Sequence, residues 1–337
     1  MIGASVDTPL ELVKAYVASG IFPGASFAIV NGSDIQKYII GYNRLKPEPV
    51  PLQAEMAYDL ASVSKVVGTG TLMIDLILSG QLGLDELLIT HYPEFKGRGR
   101  TSLTIRQLLT HTSGIDPFIE NRNSLGYDEL RTALNQVSVT MAKTFHYTDV
   151  NFILLGFMLE AIYGQDLADI LQEQVFKPFK MSRTGFIAPD KTVATAWDLP
   201  RGLVHDPKAQ ILGRHTGSAG LFSDLDDLIA FSQAYFANPA YHDLLQDYAQ
   251  ADKPRSLAWD LVGLDLLSNS KTAQTVLGQW LLHTGYTGTF ILLNLKTRQA
   301  VIFLSNRVHL QDNRKQWLID RDRLIQAFLE MMPAFTK

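Results

Sequence analysis

The sequence predicts an α+β fold, arranged as an α/β sandwich. One antiparallel sheet is built from both ends of the chain, and a mostly helical lobe is inserted between them. Two β-hairpin signals support this prediction, one near residue 32 and one near residue 297. A helix pattern flanks each hairpin on the side of the chain terminus. Between the hairpins, helical and loop patterns prevail up to about residue 279.

The N-terminal part starts with a helix signal. Residues 8–11 (Thr-Pro-Leu-Glu) form a capping box with proline in the first turn, and Gly20 is a stop signal. Apolar runs at residues 25–30 and 35–42 then flank Asn-Gly-Ser at 31–33. An Asn-Gly between two apolar runs is typical of a tight hairpin turn. We therefore expect a helix followed by two antiparallel strands.

The C-terminal part repeats this pattern in reverse. β-rich runs at residues 288–295 and 299–306 flank a polar turn, Lys-Thr-Arg, at 296–298. Residues 314–332 then show the spacing of an amphipathic closing helix. The two ends together supply four strands and two helices.

These signals divide a single unit of 337 residues into two lobes. The sheet lobe takes residues 1–58 and 280–337 approximately, and the helical lobe takes residues 59–279. Clefts between lobes are where small-molecule sites usually lie. We therefore expect the functional site between the sheet and the inserted helices.

Composition excludes several classes of protein. A hydrophobic fraction of 46% with 19% charged residues is that of an ordinary globular chain. The net charge of -4 without a long basic run argues against nucleic acid as a partner. The absence of cysteine excludes disulfides, thiol catalysis and thiolate metal sites.

Targeting signals are also missing from the sequence as given. The first residues lack the basic and then apolar pattern of a signal peptide. No apolar run reaches the roughly 20 residues of a membrane span, and the best candidate, after Lys65, is interrupted by Asp75. We expect a cytoplasmic protein with no membrane span.

The most informative stretch is residues 58–78, where Ser62 and Lys65 stand at the start of an apolar helical pattern. Asp59 or Ser62 can cap this helix. Residues three apart share a helix face, so the Lys65 amine can lie beside the Ser62 hydroxyl. A serine becomes a useful nucleophile when a neighbouring base takes its proton. The same spacing at residues 268–271 has no apolar helix behind it and is interpreted as a solvated loop.

Two further stretches complete a pattern. One is a polar loop that runs into an apolar helix, at residues 145–156, and contains Tyr147. The other is Leu-His-Thr-Gly-Tyr-Thr-Gly-Thr at residues 282–289, which leads into a strand. With the serine and lysine motif, the order resembles the serine β-lactamase and penicillin-binding-protein superfamily, in its class C β-lactamase-related branch. Flanking segments at residues 109–114, 217–223 and 305–309 support the resemblance.

This resemblance implies a role for each motif. Ser62 would be the acylated nucleophile, Lys65 would share its proton network, and Tyr147 would act as phenolate or proton relay. Physical reasoning agrees, because a neighbouring ammonium favours the phenolate and makes a tyrosine usable as a general base near neutrality. The alternative for Tyr147 is a tyrosine that only packs at a helix start.

The resemblance also implies an oxyanion hole and a substrate-binding edge. The two backbone N–H donors would come from Ser62 and Tyr286. Thr284 and Gly285 would lie along the strand edge, where an acyl group can pair as an added strand.

Two substrate-binding positions depart from the family pattern. Asp149 stands where class C enzymes usually have asparagine, and it brings a negative charge near Lys65. His283 replaces the commoner lysine, and a histidine is mostly neutral at cytoplasmic pH. The change weakens the recognition of a substrate carboxylate without removing it. A second His-Thr-Gly at residues 215–217 is interpreted as a loop that at best lines the cleft, and His111 as a structural hydrogen-bonding residue.

The sequence therefore predicts a serine hydrolase that forms an acyl-enzyme on Ser62. Candidate substrates are small esters, D-amino-acid peptides and β-lactams, the last also as covalent ligands. The expected location favours an esterase or peptidase-like hydrolase with at most weak β-lactam turnover. No cofactor or metal is expected, and no Gly-x-Ser-x-Gly, His-Glu-x-x-His or Walker motif is present. The alternative is a non-catalytic relative that binds a peptide or ligand in the same cleft.

Overall fold

The computed structural model describes residues 8–263 and 280–332. In these ranges the chain forms a seven-stranded antiparallel sheet with helices on both faces, and this confirms the predicted α+β class. The second serine and lysine spacing, at residues 268–271, lies outside the described residues.

The elements follow the chain in the order expected, with strands at both ends and helices between. The strands are β1 (Gly24–Asn31), β2 (Asp34–Arg44), β3 (Val50–Pro51), β4 (Tyr58–Asp59), β5 (Phe222–Ser223), β6 (Asp260–Val262), β7 (Trp280–Thr284), β8 (Phe290–Asn294) and β9 (Gln299–Ser305). The α-helices are α1 (Pro9–Ala18), α2 (Thr71–Leu78), α3 (Leu88–His91), α4 (Ile105–Leu109), α5 (Tyr127–Leu134), α6 (Asp149–Tyr163), α7 (Leu167–Leu171), α8 (Pro207–Leu212), α9 (Leu225–Ala237) and α10 (Arg314–Met331).

The main sheet joins the two ends of the chain at its centre. Its strand order is β3-β2-β1-β9-β8-β7-β6. The two predicted hairpins are β1-β2 and β8-β9, which close at Asn31↔Asp34 and Asn294↔Gln299. They pair through β1 and β9. The N-terminal helix also begins as predicted, because the Thr8 hydroxyl accepts a hydrogen bond from the N–H of Glu11 at 3.3 Å.

The sheet separates two cores because successive side chains of a strand point to opposite faces. Phe27 and Phe303 face a core that includes the buried sides of α1 and α10. Ala28 and Ile302 face the larger core, which contains the buried residues of α2, α6 and α9. The helix α6 is apolar nearly all round, as expected for a helix enclosed by the inserted lobe.

Strands β5 and β6 lie inside the range predicted for the helical lobe; β5 pairs with β4 in a separate two-stranded sheet, whereas β6 belongs to the main sheet. β6 lies at residues 260–262, inside the range assigned to the helical lobe, and forms the edge of the sheet beside β7. A three-residue strand is too short to show a period-2 pattern, so the sequence did not indicate it. The rest of the division into lobes stays a prediction.

One helical stretch, Ala61–Leu78, is long and apolar enough to cross a membrane by length and composition alone. The bent pair formed by Asp149–Tyr163 and Leu167–Phe176 also passes this test when it is taken together. Because 78% of the first stretch is buried inside the protein, it also fits a core helix. The cytoplasmic location stays a prediction.

Candidate active site

The candidate nucleophile sits on a strained turn and not at the start of a regular helix. Ser62 lies in the 3-10 turn Ala61–Val63, and Ala61 has φ = 46°, a left-handed conformation that is unusual for alanine. Asp59 holds this turn, because its Oδ1 accepts a hydrogen bond from the N–H of Ala61 at 2.9 Å. Its Oδ2 accepts the N–H of His205 at 2.7 Å. Burial raises the pKa of Asp59 to about 6, although both hydrogen bonds oppose this shift.

The predicted continuous helix is interrupted after Lys65. Residues Val66–Gly70 form a π-helical turn before α2 begins at Thr71. The Thr71 hydroxyl donates to the carbonyl of Val66 at 2.6 Å, five residues back, and so satisfies an acceptor within the wider turn. Such π turns often occur at functional sites. The prediction of a regular helix was therefore wrong for this segment, while the proximity of Ser62 and Lys65 was right.

Lys65 is completely buried and its ammonium is held by three oxygens. The Nζ atom lies 2.9 Å from Ser62 Oγ, 2.7 Å from Asp149 Oδ1 and 2.9 Å from the carbonyl of Ser218. Burial acts to lower the pKa of Lys65, but Asp149 and Tyr147 outweigh it and raise that pKa above its ordinary value. The lysine is therefore a cation in this structure and not a free base.

Asp149 belongs to a chain of four alternating charges, Lys65–Asp149–Lys208–Asp206, which we call the charge chain. Its second oxygen lies 3.1 Å from Lys208 Nζ, and Lys208 also lies 2.9 Å from Asp206 Oδ2. Burial acts to raise the pKa of Asp149, but the two lysines hold it far below the ordinary value. This geometry favours an electrostatic role for Asp149 over direct contact with a substrate.

Tyr147 lies beside Lys65 at the mouth of the site. The ring centroid is 5.1 Å from Lys65 Nζ, and the side chain is 41% exposed. Ser62 and Tyr147 line the same cleft. The structure thus brings the predicted serine, lysine and tyrosine together from two distant segments of the chain.

The segment after β7 is fastened to the residues just before Ser62. The Thr287 hydroxyl donates to the carbonyl of Asp59 at 2.8 Å, and the Thr289 hydroxyl donates to the carbonyl of Leu60 at 2.9 Å. Gly285 fits between them, since an added Cβ would approach Thr289 Oγ1 to 2.1 Å and the Leu60 carbonyl to 2.5 Å. These contacts fix the backbone of both predicted oxyanion-hole residues in one compact unit.

Arg307 holds Tyr286 and was not identified from the sequence. Its Nε and Nη2 atoms donate to the carbonyl of Tyr286 at 3.1 and 2.5 Å, and its Nη1 lies 2.6 Å from Asp312 Oδ1. The Tyr286 hydroxyl donates to Asp312, and its ring stacks on His205 with centroids 5.1 Å apart. Arg307 lies in the Ser-Asn-Arg segment that contributed to the family resemblance, but only the fold places it against Tyr286.

His283 occupies the third motif but is buried. It is 2% exposed, and neither ring nitrogen has a hydrogen-bond partner among the described residues. Burial, together with the nearby charges of Lys65 and Arg255, lowers the pKa of His283 to about 3. The predicted neutral form is thus reinforced, and His283 supplies no charge for a substrate carboxylate. Thr284 instead lines the cleft.

The second His-Thr-Gly forms part of the wall behind the site. His215 Nδ1 lies 2.6 Å from Glu160 Oε1, and the residue after this motif, Ser218, binds Lys65. Glu160, Asp166 and His215 place one potential metal ligand each within 4.8 Å of one another. Both carboxylates are already ion-paired through their other oxygens, Glu160 Oε2 with Arg131 at 3.2 Å and Asp166 Oδ2 with Arg214 at 3.1 Å, so their charges are already neutralised.

The cleft above Ser62 is rich in cations. It is bounded by α10, by the end of β7 and by the segment around β6. The charged residues that line it are Lys253, Arg255, Asp260, Arg307, Arg314, Arg321 and Asp322. Pairing of β6 with β7 ends at Leu282, so Thr284 and Gly285 extend past it along the cleft. A substrate could therefore lie along this edge within reach of several positive charges.

Comparisons with known proteins agree with this geometry. The beta-lactamase family model matches residues 11–324. A protein from Salmonella gallinarum named "Putative D-alanyl-D-alanine carboxypeptidase" is 27% identical over 317 residues, covering 79% of this chain and 72% of its own.

Solved structures with the same fold include a class C beta-lactamase, with a TM-score of 0.77, 18% identity, and coverage of 100% of this chain and 99% of the other. A beta-lactamase/D-alanine carboxypeptidase from Pseudomonas syringae gives a TM-score of 0.76, 19% identity, and coverage of 98% and 100%. A hydrolase with promiscuous acyltransferase activity gives 0.75, 18% identity, and coverage of 94% and 98%.

The fold, the serine and lysine pair and these relationships define a serine hydrolase. The chain belongs to the beta-lactamase family, and its fold is that of the class C enzymes.

Proposed function

We propose that this protein hydrolyses acyl compounds through an acyl-enzyme on Ser62, with Tyr147 as the proton acceptor. The observation that supports this most directly is the Lys65 ammonium, which lies 2.9 Å from Ser62 Oγ and 5.1 Å from the Tyr147 ring. Because Asp149 keeps the proton on Lys65, the lysine serves as a cation. A fixed cation beside the Tyr147 ring stabilises the negative charge that develops while the serine proton is transferred to the tyrosine oxygen.

The proposed reaction has two stages, acylation of Ser62 and hydrolysis of the acyl-enzyme. Ser62 Oγ attacks the substrate carbonyl while its proton passes to Tyr147, and the backbone N–H groups of Ser62 and Tyr286 stabilise the oxyanion. The tetrahedral intermediate collapses, and the leaving group departs with the proton from Tyr147. Water then attacks the ester on Ser62 and gives a proton to Tyr147, and Tyr147 returns that proton to Ser62 Oγ as the acid leaves.

The cleft favours substrates that carry a carboxylate. Most lining cations have a carboxylate partner, such as Lys253 with Asp260 at 2.7 Å. Arg314 is exposed at the start of α10 and has no carboxylate partner among the described residues. An anionic group on the substrate can supply that partner. D-amino-acid peptides and β-lactams fit this requirement better than neutral esters, and esters with an acidic acyl chain fit it too.

A matched pair of substrates tests this preference. We expect p-nitrophenyl hydrogen glutarate to be hydrolysed with a higher kcat/KM than p-nitrophenyl butyrate. Arg314→Gln should lower the kcat/KM ratio between the two esters about fivefold, as for a partly exposed ion pair. The control is Lys315→Gln, the next residue on α10, which is exposed and does not line the cleft. An unchanged ratio in Arg314→Gln would show that Arg314 is not the partner of the anionic group, and equal kcat/KM values for the two esters in the wild type would refute the preference itself.

The covalent step has its own test. Incubation with a fluorescent penicillin or a fluorophosphonate, followed by intact-mass measurement, should show one adduct that Ser62→Ala abolishes. Hydrolysis of p-nitrophenyl acetate should also fall strongly in Lys65→Ala and Tyr147→Phe. A non-catalytic binding relative, the alternative, would form no adduct and would be indifferent to these substitutions.

A further inference from the structure

His111 contacts the candidate base from outside the three motifs. Its ring stacks on that of Tyr147, with centroids 4.3 Å apart and planes 28° apart. The centroid of the His111 ring also lies 5.4 Å from that of Phe152 and 6.4 Å from that of Phe145. His111 is completely buried, while the tyrosine is 41% exposed. The buried His111 ring therefore packs against one face of the Tyr147 ring, whose exposed part is not held by other described side chains in the same way.

The backbone on both sides of Tyr147 is tied to the same histidine. The N–H of His146 donates to the carbonyl of His111 at 2.8 Å. The N–H of Thr148 donates to His111 Nδ1 at 3.4 Å. Three consecutive residues, the candidate base and its two neighbours, thus each contact His111. This pattern fixes the loop before α6 at the point where the phenol must be aimed.

The histidine is itself oriented by hydrogen bonds. A backbone N–H can only donate, so Nδ1 of His111 acts as an acceptor, while Nε2 has no hydrogen-bond partner among the described residues. The Asn151 side chain also bonds to Nδ1, at 2.9 Å, and its Oδ1 accepts from the Ser113 hydroxyl at 2.7 Å. His111 has φ = 57°, a left-handed conformation that is uncommon for residues other than glycine but is enriched for asparagine, aspartate and histidine. The hydrogen bonds to its carbonyl and to its ring hold His111 in this conformation.

We propose that His111 is a positioning residue, which fixes the rotamer and the backbone of Tyr147 so that the phenol oxygen faces Ser62 and Lys65. This inference rests on the proposed function of Tyr147. The physical reason is that a half-exposed tyrosine can occupy several rotamers, and a stacked, immobile ring below it selects one of them. Precise placement of a reacting group governs the rate of the chemical step more than the affinity for substrate.

Two substitutions separate the contacts of His111. His111→Asn tolerates the positive φ and keeps an acceptor near the position of Nδ1, but removes the stacked ring. His111→Phe keeps a ring and removes the acceptor. Steady-state hydrolysis of a p-nitrophenyl ester, the rate of Ser62 acylation by intact mass and the Tm are measured for each, in the wild-type and the Tyr147→Phe backgrounds.

We expect His111→Asn to lower kcat by up to about 100-fold with KM changed by less than about twofold, as for a misplaced catalytic group. In the Tyr147→Phe background the same substitution should change the acylation rate by less than about threefold, because two residues that act as one unit are not additive. His111→Phe should retain more activity than His111→Asn if it folds. If His111→Phe does not fold, the comparison of His111→Asn in the two backgrounds is the test.

Equal loss of activity in both backgrounds would overturn the proposal, since His111 would then act independently of Tyr147. A lowered Tm with kcat unchanged in the folded fraction would also overturn it and leave a purely structural residue. Failure of the proposed function gives a different result, in which Tyr147→Phe itself retains the wild-type acylation rate. An inactive Tyr147→Phe with a fully active His111→Asn would refute this inference alone.

Discussion

Replacing Asp149 by asparagine tests whether the charge chain holds Lys65 in its charged form. The substitution preserves the size of the side chain and restores the residue usual in class C enzymes, but it removes the carboxylate 2.7 Å from Lys65 Nζ. Lys65 is completely buried, and the Asp149 side chain is only 26% exposed. Removing one partner of a buried ion pair costs about 3 to 5 kcal/mol. An amide oxygen can still accept a hydrogen bond, so we expect the lower end of this range.

The expected loss is large enough to measure by thermal unfolding. A chain of this length has an unfolding entropy of about 0.7 kcal/mol/K, so a loss of about 3 kcal/mol lowers the Tm by about 4 °C. The matched control is Asp206→Asn, at the other end of the charge chain. Asp206 contacts Lys208 but not Lys65, and asparagine can still cap α8. Removing the Asp206 carboxylate should lower the unfolding free energy by at most about 1 kcal/mol, which lowers the Tm by less than about 2 °C.

Comparing the two variants shows whether the Asp149 carboxylate holds Lys65 in its charged form. Differential scanning calorimetry at pH 7 should give a clearly lower Tm for Asp149→Asn than for Asp206→Asn. The difference should shrink at a pH high enough to neutralise Lys65 in the variant, because an uncharged amine no longer needs a counter-ion. If Asp149→Asn is as stable as its control, the carboxylate does not hold the proton on Lys65. The assignment of Tyr147 as the proton acceptor then loses its electrostatic basis.

Three further predictions concern other residues of the site. His283 is buried with a pKa of about 3 against an ordinary value of 6.5, so the unfolded chain binds one more proton between these values. This stability is present above pH 6.5 and is lost as the pH falls towards 3. In this window the unfolding free energy of His283→Gln, measured with urea, should therefore rise with pH by about 1.4 kcal/mol per pH unit less than that of the wild type. An identical slope would contradict the burial of His283. Arg307→Lys loses the forked contact with Tyr286, so kcat should fall about tenfold at a similar KM; full activity in steady-state assays would show that the contact is dispensable. Gly285→Ala should abolish Ser62 acylation in intact-mass assays through its clash with backbone, whereas Gly185→Ala, where an added Cβ meets nothing within 4 Å, should remain active.

The sequence predicted those parts of the fold that local signals determine. Turn chemistry at residues 31–33 and 296–298 specified both hairpins, and the capping residues at 8–11 specified the start of α1. The edge strand β6 has no comparable signal, since three residues cannot show alternation. Its place in the sheet depends on pairing with β7, which is a long-range contact.

The helix after Ser62 shows where periodicity misleads. Leu72, Met73 and Leu76 do recur at helical spacing and are buried as expected. The same pattern cannot reveal a π turn, because that turn depends on how Gly68 and Gly70 pack. An added Cβ at Gly68 would meet Leu171 at 2.8 Å, and one at Gly70 would meet the carbonyl of Lys65 at 2.5 Å and Ala258 at 2.8 Å. Leu171 and Ala258 come from distant parts of the chain.

The candidate site was predictable in its chemistry and less so in its electrostatics. Spacing and order identified the serine, lysine and tyrosine, and the negative charge of Asp149 near Lys65 was expected. The contact of Lys208 with Asp149 and that of Arg307 with Tyr286 were not, because nothing local to these residues indicates what they touch. The burial of His283 was also unexpected, since the family resemblance implied a substrate-binding residue at this position.

The charge chain explains how a buried lysine can serve a site built for proton transfer. Its two lysines and two aspartates sum to zero, so the cation beside Ser62 adds no net charge to the interior. Lys65 is the member of the charge chain that hydrogen-bonds to Ser62 Oγ, at 2.9 Å, and its Nζ lies 5.1 Å from the centre of the Tyr147 ring. In a buried region, nearby charges are screened less than in water. The charge chain therefore places a positive charge beside Ser62 and Tyr147, where the serine proton is transferred, while its four members together remain neutral.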